Sequence, residues 1–192
     1  MMKKAPLLFI AVFFACLLQA CHSNKNSEGD NDDTTADVID TSKNANIVIG
    51  KDDAKFITTI AAGCLAEIKI GNLAKQKGVD KRVKNLGVIM VKDLTKGKAR
   101  LIILAKAKKI TLPDSLDAED QKSIAVLAQK SGKEFDRAYL DKIEIDYKKA
   151  LDLFKTNAKQ AYDKDIKAFA NRNLMTIQRH LDLIEAVRGS MK

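Results

Sequence analysis

Four ionisable side chains lie within the apolar stripes of four long amphipathic segments of the sequence. They are Glu67, Asp93, Asp146 and His180, and each follows an apolar member of its own stripe by three or seven residues. Such steps place residues on one face of a helix. Burying an isolated charge is costly, so one interpretation is a metal site or a proton-handling site in the core of a helical bundle.

A second interpretation requires no functional site, and we favour it. The four groups can be boundary residues whose polar ends reach water, or they can include a buried hydrogen-bonded pair such as Asp146 with His180. A ferritin-type di-iron site uses Glu-x-x-His on two helices. The sequence contains no Glu-x-x-His, and its two histidines are His22 and His180.

Other catalytic patterns are missing from the sequence as well. It has no phosphate-binding glycine-rich motif and no Ser/His/Asp or Cys/His constellation. We therefore predict a protein with a structural or binding role that is not an enzyme and uses no cofactor. The alternative is a metal-binding protein with a degenerate core site at the same four positions.

The segment 134–157 has the clearest helical pattern of the four. Asp146 takes one position in its apolar stripe, whose other members are Phe135, Tyr139, Ile143, Ala150 and Leu153. Similar patterns predict long helices over 53–77, 80–109 and 163–188, and a short helix over 119–129. The predicted start signals are Asp52 or Asp53, Asp80, and a capping box formed by Ser131 and Glu134.

These elements predict an all-α fold over residues 52–190. Short links make the first and last helix pairs antiparallel, so we expect an up-down-up-down four-helix bundle with a ferritin-like arrangement. The short helix belongs to the second-to-third connection. Gly87 and Gly97 lie inside the second helix, where each costs roughly 1 kcal/mol against alanine, so we expect close helix approach at both.

Residues 1–20 are predicted to be a lipoprotein signal peptide. Two lysines precede an apolar segment over 7–18, which is shorter than the roughly 20 residues that span a bilayer. Leu18-Gln19-Ala20-Cys21 resembles a bacterial lipobox, so Cys21 is the predicted lipidation site and the predicted link to a membrane. An uncleaved anchor and ordinary signal cleavage are the alternatives.

The segment 21–51 is predicted to be a disordered acidic tether. It is polar, it has almost no apolar periodicity, and positions 22–50 hold two lysines against six acidic residues. After the signal peptide and Cys21, Cys64 is the remaining thiol and has no cysteine to pair with. We expect Cys64 to be a small buried hydrophobic residue.

The formal net charge of +9 is concentrated in one region of the sequence. Residues 75–109 hold twelve lysines or arginines against two aspartates. The excess is either a solvated face or a surface for anionic lipid or lipopolysaccharide head groups. Nucleic acid is not expected, because no aromatic residues interleave the basic ones. The candidate contact residues are Lys81, Arg82, Lys84, Lys92, Lys96, Lys98 and Arg100.

From residue 53 to about 187 the sequence resembles the domain of unknown function 4142 family. The matching pieces are DAKF from Asp53, AEIKIG from Ala66, MVKD from Met90, FDRAYLD from Phe135 and LMTIQRHL from Leu174. The resemblance implies an exported, ferritin-like bundle, often a lipoprotein, at the outer membrane facing the periplasm, with no known activity. Family members usually carry Asp-His in the second and third helices, where this sequence has Asp93-Leu94 and Asp146-Tyr147.

Overall fold

The computed structural model describes residues 49–191, and every regular element in that range is an α-helix. The five helices are α1 (Lys51–Lys77), α2 (Lys81–Ala107), α3 (Ala118–Gln129), α4 (Gly132–Gln160) and α5 (Lys164–Ser190). The predicted all-α class and the predicted short helix before the third long helix are confirmed. The predicted signal peptide, Cys21 and most of the predicted tether lie outside the described residues.

The long helices form two hairpins, α1 with α2 and α4 with α5. Residues 78–80 link the first pair and residues 161–163 link the second, so both pairs are antiparallel. Each link ends in an aspartate, Asp80 or Asp163, whose carboxylate accepts hydrogen bonds from the first backbone N–H groups of the next helix. The cap predicted at Asp80 is therefore confirmed.

Two further aspartates tie each hairpin to the link of the other. The carboxylate of Asp53 in α1 accepts hydrogen bonds from the backbone N–H groups of residues 162 and 163 at 3.1 and 2.7 Å. The carboxylate of Asp136 in α4 accepts from those of residues 79 and 80 at 3.1 and 2.8 Å. Both aspartates are buried. We call these two sets of hydrogen bonds the cross-caps.

The cross-caps fix the direction of each helix. The start of α1 lies beside the end of α4, and the start of α4 lies beside the end of α1, so these two helices are antiparallel. Lys108, just after α2, pairs with Asp163 at the start of α5 at 2.7 Å, so α2 and α5 are also antiparallel. The chain order is thus up-down-down-up, and the predicted up-down-up-down order is wrong. The connection containing α3 returns the chain to the end of the bundle from which α2 started.

Two predicted helix starts form differently from the prediction. α1 begins after Gly50 with no side-chain cap, because Asp53 lies within the first turn and is directed to the other hairpin. Ser131 is the N-cap residue of α4 as predicted, but it makes no capping hydrogen bond. The capping box is absent because the carboxylate of Glu134 pairs with Lys130 at 2.6 Å.

The two hairpins repeat at a spacing of 83 residues. Asp136 follows Asp53 by 83 positions, and Asp163 follows Asp80 by the same number. Buried core residues correspond at this offset as well: Phe56 with Tyr139, Ile57 with Leu140, Val83 with Ile166, and Leu101 with Ile184. The cross-caps are therefore equivalent contacts at matching positions of two similar helical hairpins.

The two glycines inside α2 have different surroundings. A Cβ atom on Gly87 would lie 2.7 Å from the carbonyl oxygen of Gly71 and 2.9 Å from the Cβ of Ala74, so close approach of α1 and α2 is confirmed there. A Cβ atom on Gly97 would meet nothing within 4 Å, so the same prediction for Gly97 is wrong. That space belongs to a cavity.

The core lies between the four long helices, with α3 packed against α1 and α4. By length and composition α1 is apolar enough to cross a membrane, a test that the core helices of soluble bundles also pass. In the described residues α1 packs against α2, α3 and α4. Its buried side chains include Phe56, Ile57 and Ile70, so its apolar face contributes directly to the bundle core.

Candidate functional site

A cavity of about 290 Å³ opens inside the bundle, and all four long helices contribute to its wall. Much of the lining is apolar, including Ile60, Leu94, Leu101, Leu153, Phe154 and Ile177. Gly63 and Gly97 also line it, and a Cβ atom on either would meet nothing within 4 Å. The missing side chains of these two glycines therefore leave part of the space empty.

All four sequence-predicted site residues line this cavity. They form two separate pairs, Glu67 with Asp146 and Asp93 with His180. The predicted pairing of Asp146 with His180 is wrong. Helical periodicity placed each residue on a face but could not show which neighbour it would meet.

The first pair consists of two carboxyl groups on neighbouring helices, Glu67 of α1 and Asp146 of α4, which both line the cavity. Burial, and then the charge of Asp146, raise the pKa of Glu67 well above its usual range. The ammonium group of Lys142 contacts the Oδ2 atom of Asp146 at 2.9 Å. Asp120 of α3 also lines the cavity, and burial together with nearby Asp117 raises its pKa.

The second pair extends into a chain of hydrogen bonds. His180 is buried, with Nε2 lying 3.1 Å from Oδ2 of Asp93 and Nδ1 lying 3.1 Å from the hydroxyl of Tyr147. Burial and the charge of Arg179 lower the pKa of His180, although the hydrogen bond to Asp93 opposes them. In the neutral ring, Nε2–H donates to the Asp93 carboxylate and Nδ1 accepts from Tyr147.

Asp93 also faces the protein surface. Arg179, a half-exposed residue, donates a hydrogen bond to Oδ2 of Asp93 at 2.7 Å. Burial favours a raised pKa for Asp93, but the hydrogen bonds from Arg179 and His180 outweigh it and the pKa lies below its usual value. The second pair is thus an ionised carboxylate beside a neutral imidazole.

The four residues do not combine into one set of metal ligands. Within residues 49–191 no group of three or more histidine, cysteine, aspartate or glutamate side chains has an arrangement that could hold a metal ion. Asp146 is engaged by Lys142, and Asp93 is engaged by Arg179 and His180. The degenerate metal site therefore stays a prediction that direct metal analysis has to test.

Two further polar groups lie in the cavity wall or in the core. Cys64 lines the wall and is half-buried rather than buried, and burial raises the pKa of its thiol to about 11. Tyr139 is buried, and its hydroxyl has no hydrogen-bond partner among the described residues. Burial and the charge of Glu67 both raise the pKa of Tyr139, so its hydroxyl lies within electrostatic reach of the carboxyl pair.

The predicted anionic-surface residues lie along α2. Six of the seven are exposed, whereas Lys98 is half-buried. Arg82 is already engaged, since its guanidinium contacts Asp80 and the carbonyl oxygen of Ser190 at 2.8 Å. Arg100 lies at the rim of the cavity. Four exposed lysines, Lys81, Lys84, Lys92 and Lys96, therefore form the basic face of α2.

Comparison with known proteins gives the fold and the family. A crystal structure of a DUF305 fragment from Deinococcus radiodurans is similar with a TM-score of 0.66, at 10% sequence identity, over 74% of this chain and 98% of that chain. No curated protein matches the sequence. The family model described as a domain of unknown function, DUF4142, matches residues 39–187, so the chain belongs to that family.

Proposed function

We propose that this protein is a binding protein of the cell envelope that holds a small, largely apolar molecule in its core cavity. The cavity of about 290 Å³ between the four long helices carries this proposal. Apolar cavities of ~150 Å³ can hold benzene, so this one has room for roughly a dozen non-hydrogen atoms. A pocket with apolar walls and a few polar groups is the usual form of a small-molecule site.

The state of the polar groups favours binding over catalysis. With a pKa of about 11, the Cys64 thiol is protonated at neutral pH and is a poor nucleophile. His180 has hydrogen-bond partners on both ring nitrogens. Neither group is therefore poised to attack a bound molecule.

The proposed bundle is ferritin-like in its connectivity, with a single long crossover between α2 and α4.

The envelope location rests on the sequence. Acylation at Cys21 would attach the bundle to a membrane through the acidic tether, at the outer membrane facing the periplasm. We expect Cys21→Ala to leave either an unprocessed precursor or a soluble product. The measurement is gel mobility together with partitioning into detergent. A variant with unchanged size and unchanged partitioning would contradict lipidation.

The cavity is tested by titrating 1-octanol into the chain from residue 22 onward, which keeps every described residue and lacks the acylation site. Binding is followed by calorimetry and by NMR shifts of cavity methyl groups. We expect Gly97→Leu to weaken binding at least tenfold, a loss of about 1.4 kcal/mol, because its side chain fills the cavity. Gly189→Leu is the matched control, since it adds the same side chain in open space outside the cavity lining.

The result distinguishes the cavity from non-specific surface binding. Octanol that fails to bind, or that binds both leucine variants equally, would rule out the core cavity as the site. Urea unfolding of both variants shows that they remain folded. For the metal-binding alternative, elemental analysis showing one or two metals per chain that are lost in His180→Ala would replace this proposal.

A further inference from the structure

We infer that the molecule held in the cavity is an amphiphile with one short apolar chain and a carboxylate head, and that Arg100 and Arg172 bind the head at the edge of the cavity. The inference rests on the proposed binding function and adds the chemical class of the ligand, a medium-chain fatty carboxylate. The apolar wall takes the chain, and the two guanidinium groups take the charge.

The head lies in a surface groove between α2 and α5 that adjoins the core cavity. Arg100, Phe169, Asn173 and Thr176 line both spaces, so the groove and the cavity share part of their wall. Of these four residues, only Phe169 is buried, so solvent reaches the shared wall from the groove. Arg172 lines the groove itself. A ligand with its head in the groove and its chain in the cavity fits this arrangement.

The two arginines lie at one level of the bundle. Asp93 of α2 contacts Arg179 of α5 at 2.7 Å, and the two helices are antiparallel. Arg100 follows Asp93 by seven residues, and Arg172 precedes Arg179 by seven. Seven residues make about two helical turns and return to nearly the same face. Since packed helices lie about 8–10 Å apart, both guanidinium groups can reach one carboxylate.

Neither of these guanidinium groups forms an ion pair with any residue that the structure describes. On their own helices the nearest acidic residues are Asp93 and Asp165, each seven residues away. Asp93 is engaged by Arg179 at 2.7 Å and Asp165 by Lys108 at 2.6 Å. Two like charges on facing helices repel each other, and an anion between them relieves the repulsion. The guanidinium fork also matches the two oxygens of a carboxylate.

Apolar side chains continue from the two arginines into the cavity. Leu104 and Phe169 line the groove, and Phe169 lines the cavity as well. Ile103 is exposed and adds apolar surface to the groove. Inside the cavity the wall continues with Leu101 and Ile177. A chain attached to a head between the arginines therefore stays in contact with apolar surface.

The charges of the other helices set the orientation of the ligand. Glu67 of α1, Asp120 of α3 and Asp146 of α4 line the cavity, and α3 packs on α1 and α4. The two basic lining residues of α4 are Lys142, which contacts Asp146 at 2.9 Å, and the exposed Lys149. A carboxylate there would lie beside three other carboxyl groups, whereas the side of α2 and α5 offers two unpaired arginines. The head therefore binds in the groove.

Three probes of equal chain length test the inference on the chain from residue 22 onward. They are octanoate, 1-octanol and 1-octylamine, titrated by calorimetry at pH 7. Octanoate is ionised there, because its carboxyl group titrates near the value of about 4.3 for glutamate. We expect octanoate to bind at least tenfold tighter than either of the other probes. The preference should shrink as salt rises from about 50 mM to about 500 mM, because the arginines are exposed.

Variants of the two arginines locate the head. Arg100→Gln and Arg172→Gln should each remove most of the tenfold affinity ratio of octanoate to octanol. Arg137→Gln is the matched control, since it removes the same charge at an exposed position of α4 outside the groove and the cavity, and it should keep the ratio. Urea unfolding shows that each variant remains folded, and using both arginine variants covers the case in which one folds poorly.

Two further variants locate the chain and exclude the other side of the cavity. Gly97→Leu should weaken octanoate at least tenfold, as it weakens octanol, whereas Gly189→Leu should not. Octanoate binding that is insensitive to Gly97→Leu would place the ligand on the surface and overturn the inference. A preference that is lost in Lys149→Gln instead of the arginine variants would place the head beside α4 and overturn it as well.

The outcomes separate this inference from the proposed function. If octanol binds in the cavity but octanoate binds no tighter, or octylamine binds as tightly as octanoate, the carboxylate assignment is wrong and the cavity function stands. A preference that survives both Arg100→Gln and Arg172→Gln also overturns the assignment. If none of the three probes binds, the proposed function itself fails, and this inference fails with it.

Discussion

At the level of single residues, the neighbouring donors decide what a buried carboxyl group does. Asp53 and Asp136 are buried, and each receives backbone N–H groups from a helix link, so each acts as a structural acceptor. Half-buried Glu67 has another carboxyl group as its neighbour, and burial and the charge of Asp146 raise its pKa well above that of a free glutamate. The first arrangement stabilises the fold, and the second leaves a charge imbalance inside a cavity.

The pH dependence of stability should show the contribution of Glu67. Its raised pKa means that the folded chain holds a proton that the unfolded chain releases above about pH 4.3. This contribution to stability is complete below that pH and is lost as pH rises through the folded-state pKa. We expect Glu67→Gln to match the parent chain near pH 4 and to exceed it at pH 8 by about 1–3 kcal/mol.

The measurement is urea unfolding across that pH range. His180 has a lowered pKa and contributes the opposite slope, since its stabilisation is lost as pH falls below about 6.5. The contribution of His180 to the pH dependence is the same in parent and variant. It therefore cancels when their free energies of unfolding are subtracted. Glu134→Gln, at an exposed position, is the control. A Glu67→Gln variant whose pH slope equals that of the parent would show that Glu67 is ionised in the folded chain.

The sequence predicted which residues line the site better than it predicted their partners. Steps of three and seven placed Glu67, Asp93, Asp146 and His180 on inward faces, and all four line the cavity. Their pairing depends on the rotation and height of neighbouring helices, which a single-helix pattern does not contain. The role of Asp136 was missed because an aspartate near a helix start is usually a local cap. The 83-residue repeat, which aligns it with Asp53, was the available signal.

At the level of helices, the two glycines of α2 have different structural roles. Gly87 lets α1 and α2 approach, whereas Gly97 leaves space in the cavity. Both have the same local sequence cost, so propensity alone could not separate them. The start signals of helices were more informative. Asp80 and Ser131 marked the starts of α2 and α4 correctly, although the capping box at Ser131 does not form.

Alanine at the two positions should therefore have opposite effects. We expect Gly87→Ala to lower the free energy of unfolding by about 1–3 kcal/mol, because its Cβ would press on the backbone of Gly71. We expect Gly97→Ala to raise it by about 0.5–1 kcal/mol, because alanine favours the helix and nothing obstructs it. Each is the control for the other in urea unfolding. Equal effects of the same sign would contradict the packing described here.

The cross-caps make a second prediction about helices. Asp136→Ala removes two hydrogen bonds to a charged acceptor and leaves the link after α1 with unsatisfied N–H groups. We expect a loss of about 2–5 kcal/mol in urea unfolding. Asp141→Ala on the same helix is the control, because it removes only an exposed ion pair with Arg188 and should cost at most about 1 kcal/mol. Similar losses in both variants would contradict a special role for Asp136.

At the level of the whole molecule, sequence reasoning found the helices but not their order in space. The number and approximate bounds of the long helices are as predicted, because they follow from periodicity and capping residues. The direction of α4 depends on where the connection through α3 delivers the chain. Its length permits a return to either end of the bundle, so the order is settled by contacts between the hairpins, those of Asp53, Asp136 and Lys108.

The basic face of α2 makes a prediction about the intact surface. Lysines near an anionic membrane contribute on the order of 1 kcal/mol each. We expect the chain from residue 22 onward to sediment with anionic phospholipid vesicles at about 50 mM salt and to be released as salt rises. Changing Lys81, Lys84 and Lys92 together to Gln should reduce binding at least about tenfold.

The matched control changes three exposed lysines elsewhere, Lys122, Lys155 and Lys159, to Gln, which removes the same net charge. If both triple variants lose binding equally, only the total charge matters. If the parent chain does not sediment with the vesicles at about 50 mM salt, where screening is weaker than in the cell, the basic face of α2 is simply a solvated surface.

The 83-residue repeat gives the bundle a pseudo-twofold axis, and the cross-caps are the isologous contacts that such an axis generates. The axis relates each ionisable cavity residue to a small or uncharged one: Glu67 to Ala150, Asp93 to Thr176, Asp146 to Gly63, and His180 to Gly97. All eight positions line the cavity. At each pair of related positions, one hairpin thus supplies an ionisable side chain and the other a small or uncharged one. A symmetric dimer of identical hairpins would carry the same residue at both related positions. A single chain that contains both hairpins can instead carry an ionisable residue at one position and a small or uncharged residue at the other.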